Sequence, residues 1–171
     1  MVCEKFYITT PIYYVNDRPH IGHAYTTVVA DTYARFYREK LGKENVFFLT
    51  GTDEHGTKVA NSATKNNLDP QVYTDQISEE YKKVWSALGV THDQFIRTTD
   101  AHHAKVVGDF LTNLYDKGFI YKGTYKGFYC VGCEKFLSFE EIKDGVCIQH
   151  PNSQIVEQEE ENYFFYLKEF S

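Results

Sequence analysis

Three short stretches of this sequence combine residue types and spacings that could do chemistry. His20-Ile21-Gly22-His23 sets two histidines around a glycine, just after an aromatic stretch and a proline turn. Gly51-Thr52-Asp53-Glu54-His55-Gly56 closes a short apolar run. Cys130-Val131-Gly132-Cys133 is followed, after 13 intervening residues, by Cys147-Ile148-Gln149-His150.

A lone histidine at a helix start is ordinarily a cap or a surface residue. Two of them in an H-x-G-H set suit an anion site. A helix N-terminus offers free backbone N–H groups and a partial positive charge. Gly22 removes a side chain, so a bulky ligand can lie against the backbone. The imidazoles of His20 and His23 add donors that can stabilise charge on a phosphoryl group without acting as nucleophiles. Neither a Walker A loop nor a G-x-G-x-x-G fingerprint occurs. Seen alone, the Gly51–Gly56 stretch reads either as a polar turn with a helix cap or as a carboxylate site for an ammonium group.

The cysteine spacing matches a tetrahedral Zn²⁺ site made by Cys130, Cys133, Cys147 and His150. A redox CxxC is the competing reading, but it needs no second pair and usually opens a helix. Four protein ligands leave no open position, so the zinc is expected to be structural, standing in for a core that a small insertion cannot build. The remaining Cys3 is expected to pack in a buried strand. His92, His102 and His103 read as surface residues near helix starts.

The elements that must position these groups follow from periodicity and punctuation. Glu4–Thr9 reads as a strand with Phe6 and Ile8 on one face, and Pro11 bars a simple continuation. Pro19 suits the first turn of a helix on which Ile21, Tyr25, Val28, Val29, Thr32 and Phe36 follow helical spacing until Gly42. Val46–Thr50 is a second strand, and Thr57–Asn66 a helix. Asp69-Pro70 caps another helix that ends at Gly89. Phe95–Thr98 is a short strand. Asp100 caps a helix expected to bury Val106, Val107, Phe110, Leu111 and Leu114 before Gly118. This order implies an α/β fold with a largely parallel, doubly wound sheet. Beyond Gly118 the chain turns Tyr- and Gly-rich, which puts a domain boundary there: residues 1–118, then 119–171. The acidic run Glu157–Glu161 reads as a solvated loop before a last strand, Tyr163–Leu167.

Length and composition agree with this division. The chain has 171 residues, 42% hydrophobic and 16% aromatic, enough for a true core. Its formal net charge of −6 argues against a surface built for non-specific phosphate binding. No apolar run approaches the ~20 residues of a membrane span. The opening MVCEKFYITT reads as a strand and not as a signal peptide, so the expected location is cytoplasmic, or organellar with a targeting segment outside this stretch.

The stretch PHIGHAYT resembles the signature of class I aminoacyl-tRNA synthetases. TPIYYVND, GTDEHGTK, FIRTTD and EEENYFF resemble the methionyl-tRNA synthetase family in particular, and together they extend over essentially the whole chain. The resemblance implies a Rossmann-like parallel-sheet catalytic domain interrupted by an inserted zinc-knuckle connective-peptide domain. It implies a ligase that joins L-methionine to ATP, with Mg²⁺ assisting, and passes the methionyl group to tRNA(Met) in protein biosynthesis. By the same resemblance His20, Gly22 and His23 contact ATP, with His20 and His23 catalytic, and Thr10 and the backbone around Pro11 line the nucleotide site. Asp53 receives the methionine ammonium, and Ile12 and Tyr14 wall the side-chain pocket. The family's zinc knuckle agrees with the Cys₃His set.

Nothing in the sequence resembles the second, KMSKS-like signature of that class. The chain therefore reads as an N-terminal fragment, inactive by itself, with tRNA contacts mainly in regions absent here. Two other classes share some of these features. A sister enzyme for cysteine, valine, leucine or isoleucine shares the histidine signature but should differ around TPIYYVND and GTDEHG. A truncated, zinc-stabilised binding module would have no need of His20, His23 and Asp53.

Overall fold

The computed structural model describes residues 4 to 170; Cys3 lies outside them. The chain divides into two compact units, one up to Val107 and one from Gly108 onward.

The first unit contains β1 (Phe6–Tyr14), α1 (Ile21–Leu41), β2 (Val46–Asp53), α2 (Thr57–Lys65), α3 (Pro70–Ala87) and β3 (Gln94–Arg97). The strands form a parallel sheet in the order β1-β2-β3. Two expectations about its start are corrected. Pro11 does not end the first strand, which continues to Tyr14 through a register irregularity between Thr9 and Ile12. The bulge seats the residue without an N–H where no ladder bond is asked of it. Pro19 lies just before the helix, and His20 is its N-cap.

The irregularity also changes which residues face inward. Phe6 and Ile8 pack inward before it, and Tyr13 and Val15 after it. On β2 the inward set keeps one parity: Val46, Phe48, Thr50 and Thr52 are buried. This face meets α1, α2 and α3, with Tyr81 and Trp85 of α3 wholly enclosed. The opposite face carries Tyr7 stacked on Phe47, and then Ile12 and Tyr14, all exposed.

On α1 the apolar spacing holds but the buried stripe is the neighbouring one. Thr27, Ala30, Asp31 and Ala34 are buried, whereas Ile21, Tyr25, Val28, Val29, Thr32 and Phe36 are exposed. Small residues let the helix lie close against the strands, which the bulky residues would prevent.

The helix α4 (Ala101–Asp116) spans the division between the units. The expected burial of Val106, Val107, Phe110 and Leu111 is not found: all four are exposed, and Leu114 is half-buried.

Beyond that helix the second unit is built of β-strands and two single-turn 3-10 helices, Phe139–Glu141 and Leu167–Phe170. It comprises β4 (Ile120–Cys130), β5 (Lys135–Leu137), β6 (Ile142–Lys143), β7 (Val146–Cys147) and β8 (Ile155–Phe165). An antiparallel sheet has the order β5-β4-β8, and β6 pairs with β7. The acidic run is not a loop. Glu157–Glu161 lies within β8, paired along its length with β4. Lys126 meets Glu157 at 3.1 Å, and Lys122 meets Glu161, so the partner strand brings the opposing charge. Among the described residues no helix is long and apolar enough to cross a membrane.

Candidate functional site

The two histidines form a reciprocal cap at the start of α1. His20 is in the extended region, φ −124° and ψ 175°, as an N-cap requires. Its Nδ1 accepts the Gly22 N–H at 3.1 Å, and the His20 N–H donates to Nδ1 of His23 at 3.2 Å. The arrangement is a capping box in which imidazoles take the places usually held by Ser and Glu. The two rings stack with centroids 3.7 Å apart and planes 21° from parallel.

This geometry has a chemical consequence. Both Nδ1 atoms are acceptors, so each neutral ring carries its proton on Nε2. Two Nε2–H donors are thus turned away from the cap, beside the positive end of the helix. Burial, and secondly the neighbouring His20, lower the pKa of His23, which favours that neutral form. Gly22 has a further role: a Cβ there would lie 2.9 Å from Cε1 of His20, in space that the imidazole already fills.

Tyr81 of α3 ties this cap to the sheet. Its hydroxyl lies 3.2 Å from Nδ1 of His23 and 3.4 Å from the Tyr14 carbonyl oxygen. Burial raises the Tyr81 pKa, so the phenol stays protonated. Tyr13 is buried against the same ring and bonds Thr27 at 2.9 Å.

The end of the sheet assembles a second group. Tyr14 pairs in register with Asp53, and Ile12 with Gly51. Residues in register on parallel strands share a face, so Ile12, Tyr14 and Asp53 come together on the open side. The Asp53 carboxylate makes no hydrogen bond or ion pair within the described residues. Gly51 is required here by close approach: a Cβ would lie 2.0 Å from the Ile96 carbonyl oxygen. Thr10 sits differently from its neighbours. It is buried, and its hydroxyl bonds Thr50 at 2.7 Å and the Pro11 carbonyl at 2.8 Å, so its side chain is committed within the sheet, while Pro11 is exposed.

Glu54, next to Asp53, turns to the covered face. Its carboxylate receives Nε and Nη2 of Arg97 at 2.7 and 2.8 Å, the Thr52 hydroxyl at 2.7 Å, the Thr99 hydroxyl at 2.5 Å, and that of Ser78. Burial pushes its pKa up, but the bonds from Arg97, Ser78, Thr99 and Thr52 together outweigh burial and hold the carboxyl below the usual range. Asp75 completes the ion group from the other side of Arg97, at 2.5 Å. These residues went unassigned from sequence. The available signal was Arg97-Thr98-Thr99-Asp100 after a short strand, a run of side-chain donors where a strand meets a helix cap.

In the second unit the ligating atoms of Cys130, Cys133, Cys147 and His150 all lie within 4.8 Å of one another. Cys133 Sγ is 3.4 Å from Cys147 Sγ and 3.0 Å from His150 Nδ1. A tetrahedral ion with bonds of about 2.3 Å needs ligand atoms about 3.8 Å apart, so the set fits a metal. Gly132 lets the turn close: a Cβ would meet Ser153 Oγ at 2.4 Å and His150 Cγ at 2.8 Å. Cys130, Cys147 and Leu137 are the buried members of the small cluster around it. His92 departs from its expected exposure: it is half-buried, with Nδ1 enclosed and unpartnered.

A family model described as tRNA synthetases class I (M) matches residues 6–164, and the chain belongs to that family. The relatives it resembles narrow the class. Methionine--tRNA ligase of Thermotoga maritima is 52% identical over 169 residues, which is 97% of this chain and 27% of that protein. The Streptomyces coelicolor methionine--tRNA ligase is 46% identical over 177 residues, covering 98% of this chain and 32% of its own. A structure of Mycobacterium tuberculosis methionyl-tRNA synthetase in complex with methionyl-adenylate matches with a TM-score of 0.85 and 36% identity, over 98% of this chain and 33% of that one. The chain therefore spans about a quarter to a third of the length of these relatives.

Proposed function

We propose that this chain carries the methionine-activating half-site of a methionine--tRNA ligase. Residues 1–118 are the first half of its nucleotide-binding catalytic domain, and residues 119–171 begin an inserted connective-peptide domain. The observation that carries this reading is the position of the Tyr81 hydroxyl, 3.2 Å from His23 Nδ1 and 3.4 Å from the Tyr14 carbonyl oxygen, which sets His23 beside Tyr14 and its register partner Asp53. An anion site and a carboxylate acceptor are thereby coupled at the carboxyl end of a parallel sheet, where α/β folds place ligands.

In this reading ATP lies across the start of α1, bounded by Gly22 and by the backbone at Thr10 and Pro11. Asp53 holds the methionine ammonium, and Ile12 and Tyr14 flank the thioether. A methionine carboxylate oxygen attacks the α-phosphorus of ATP. The new P–O bond forms as the bond to the β-phosphate oxygen breaks, and pyrophosphate leaves with that electron pair. His20 and His23 donate from Nε2 to the phosphate oxygens, where negative charge grows. Mg²⁺ accompanies the ATP and helps to neutralise it. The methionyl group then passes to tRNA(Met), recognised mainly by parts of the protein beyond this chain, in the cytoplasm.

Zinc on Cys130, Cys133, Cys147 and His150 is the metal best matched to three thiolates and an imidazole, and it would serve only to hold the knuckle together. The test is methionine-dependent ATP–pyrophosphate exchange by the full reading-frame product. Cysteine, valine, leucine and isoleucine serve as controls. Exchange with one of those in place of methionine would move the assignment to a sister enzyme.

A further inference from the structure

We infer that the ion group built on the buried Glu54, with Arg97 and Asp75, is a positioning device for Asp53, and that Arg97 tunes methionine affinity without touching the substrate. The inference rests on the methionine-activation reading above and extends it to residues with no role there.

The argument begins with alternation. Asp53 is the last residue of β2 and Glu54 the next, and the two side chains take opposite faces: Glu54 is enclosed on the covered face while Asp53 lies beside Tyr14 on the open one. Whatever fixes Glu54 on the covered face therefore fixes Asp53 on the open one. Glu54 is fixed unusually well. Its side chain has 0% exposure, and donors reach it from β2, α3, β3 and the residues that follow β3. The Arg97 contact is two-pronged, which sets the plane of the carboxylate as well as its position.

The backbone is clamped too. The Glu54 N–H donates to the Thr98 hydroxyl at 2.9 Å, and that hydroxyl lies 3.1 Å from Nδ1 of His55. The Thr98 N–H donates to the Thr52 carbonyl oxygen at 3.2 Å. The open-face neighbours cannot supply this restraint. Asp53 itself makes no side-chain bond among the described residues, and Gly51 has no side chain. Asp53 is thus a free acceptor on a segment held by the backbone ladders to β1 and β3 and, among side chains, by those of the covered face. A lysine at position 97 keeps the charge but loses the planar fork, so the segment should loosen while the fold survives.

The test is Arg97→Lys in the full reading-frame product, with Asp75→Asn as a milder partner. Two measurements are made on each. In ATP–pyrophosphate exchange, Arg97→Lys should raise KM for methionine about 10-fold or more while KM for ATP stays within about 2-fold. Hydrogen exchange followed by mass spectrometry should show faster exchange confined to residues 52–56. A change in kcat alone, or equal rises in both KM values, would reduce Arg97 to a general structural residue and overturn the inference. Failure of the underlying reading looks different: the wild-type protein would then show no methionine-dependent exchange. In that case hydrogen exchange still decides the positioning claim, since unchanged protection at residues 52–56 in Arg97→Lys refutes it.

Discussion

The backbone N–H of His20 donates to Nδ1 of His23 at 3.2 Å, and this one bond sets both the helix start and the chemistry of the imidazole. By occupying Nδ1 it leaves the proton on Nε2, where a phosphate oxygen could receive it. Capping and catalysis are usually assigned to separate residues; here the rings that cap the helix are the ones that the proposed function asks to donate to phosphate.

His23→Ala removes one donor and half of the cap. Methionine-dependent exchange by the full reading-frame product should fall by about 10²–10³ in kcat, the usual loss for one preorganised donor. Thermal stability should drop by only about 1 kcal/mol, as for other lost caps. A stability loss large enough to account for the missing activity would contradict the donor role.

Gly22→Ala separates space from propensity. Alanine is the better helix former by about 1 kcal/mol, which roughly offsets the cap weakened when the His20 ring is displaced, so the melting temperature should change little. Its Cβ, 2.9 Å from Cε1 of His20, would push that ring aside. Exchange should then fall by up to about 10²-fold, the scale of an ångström-sized misplacement. An active, stable Gly22→Ala protein would show that the His20 ring is free to move.

Removing the metal should affect the knuckle first. Cys133→Ser or Cys147→Ser should lower bound zinc, measured by elemental analysis, from about one ion per chain to well below half, because a tetrahedral site tolerates no missing thiolate. Hydrogen exchange should then rise across residues 130–155 in particular. Retention of a full equivalent of zinc would move the site elsewhere.

Acid stability should fall in two steps. Burial lowers the pKa of both His23 and His92 below the ordinary 6.5, so the folded protein binds fewer protons than the unfolded chain as pH drops through that value. Stability is therefore full above pH 6.5 and declines below it. A second decline begins below about pH 4.5, where Glu54, whose pKa the bonds from Arg97 and its neighbours hold below 4.5, would protonate on unfolding. Melting temperatures between pH 8 and pH 3 would reveal both steps. His92→Phe should shrink the first and leave the second.

The parts legible from sequence are those whose geometry is local. The Cys130/Cys133 and Cys147/His150 pairs announce a metal because ligand spacing within each turn is itself the signal, and the same is true of two histidines one turn apart at a helix start. The Glu54–Arg97 pair is invisible by that route, since 43 residues separate the partners and only the parallel register of β2 with β3 brings them together. The acidic run misleads for a related reason. Its lysine partners lie on β4, far earlier in the chain, and a run read without its partner strand looks solvated. On α1 the period is readable from sequence, but the choice of stripe depends on how near the sheet lies, which periodicity does not carry.

The irregularity at Pro11 gives β1 a change of phase. A saturation scan along residues 6–15 should therefore record two interleaved codes. Even positions before Pro11 should reject charge while their odd neighbours accept it, and after Pro11 the tolerated and forbidden positions should trade places. Deleting one residue at the bulge would bring the two codes back into step. Tyr13 and Val15 would then keep their inward places and Ile12 and Tyr14 the open face, because the strand would lose only the extra residue that β2 does not match.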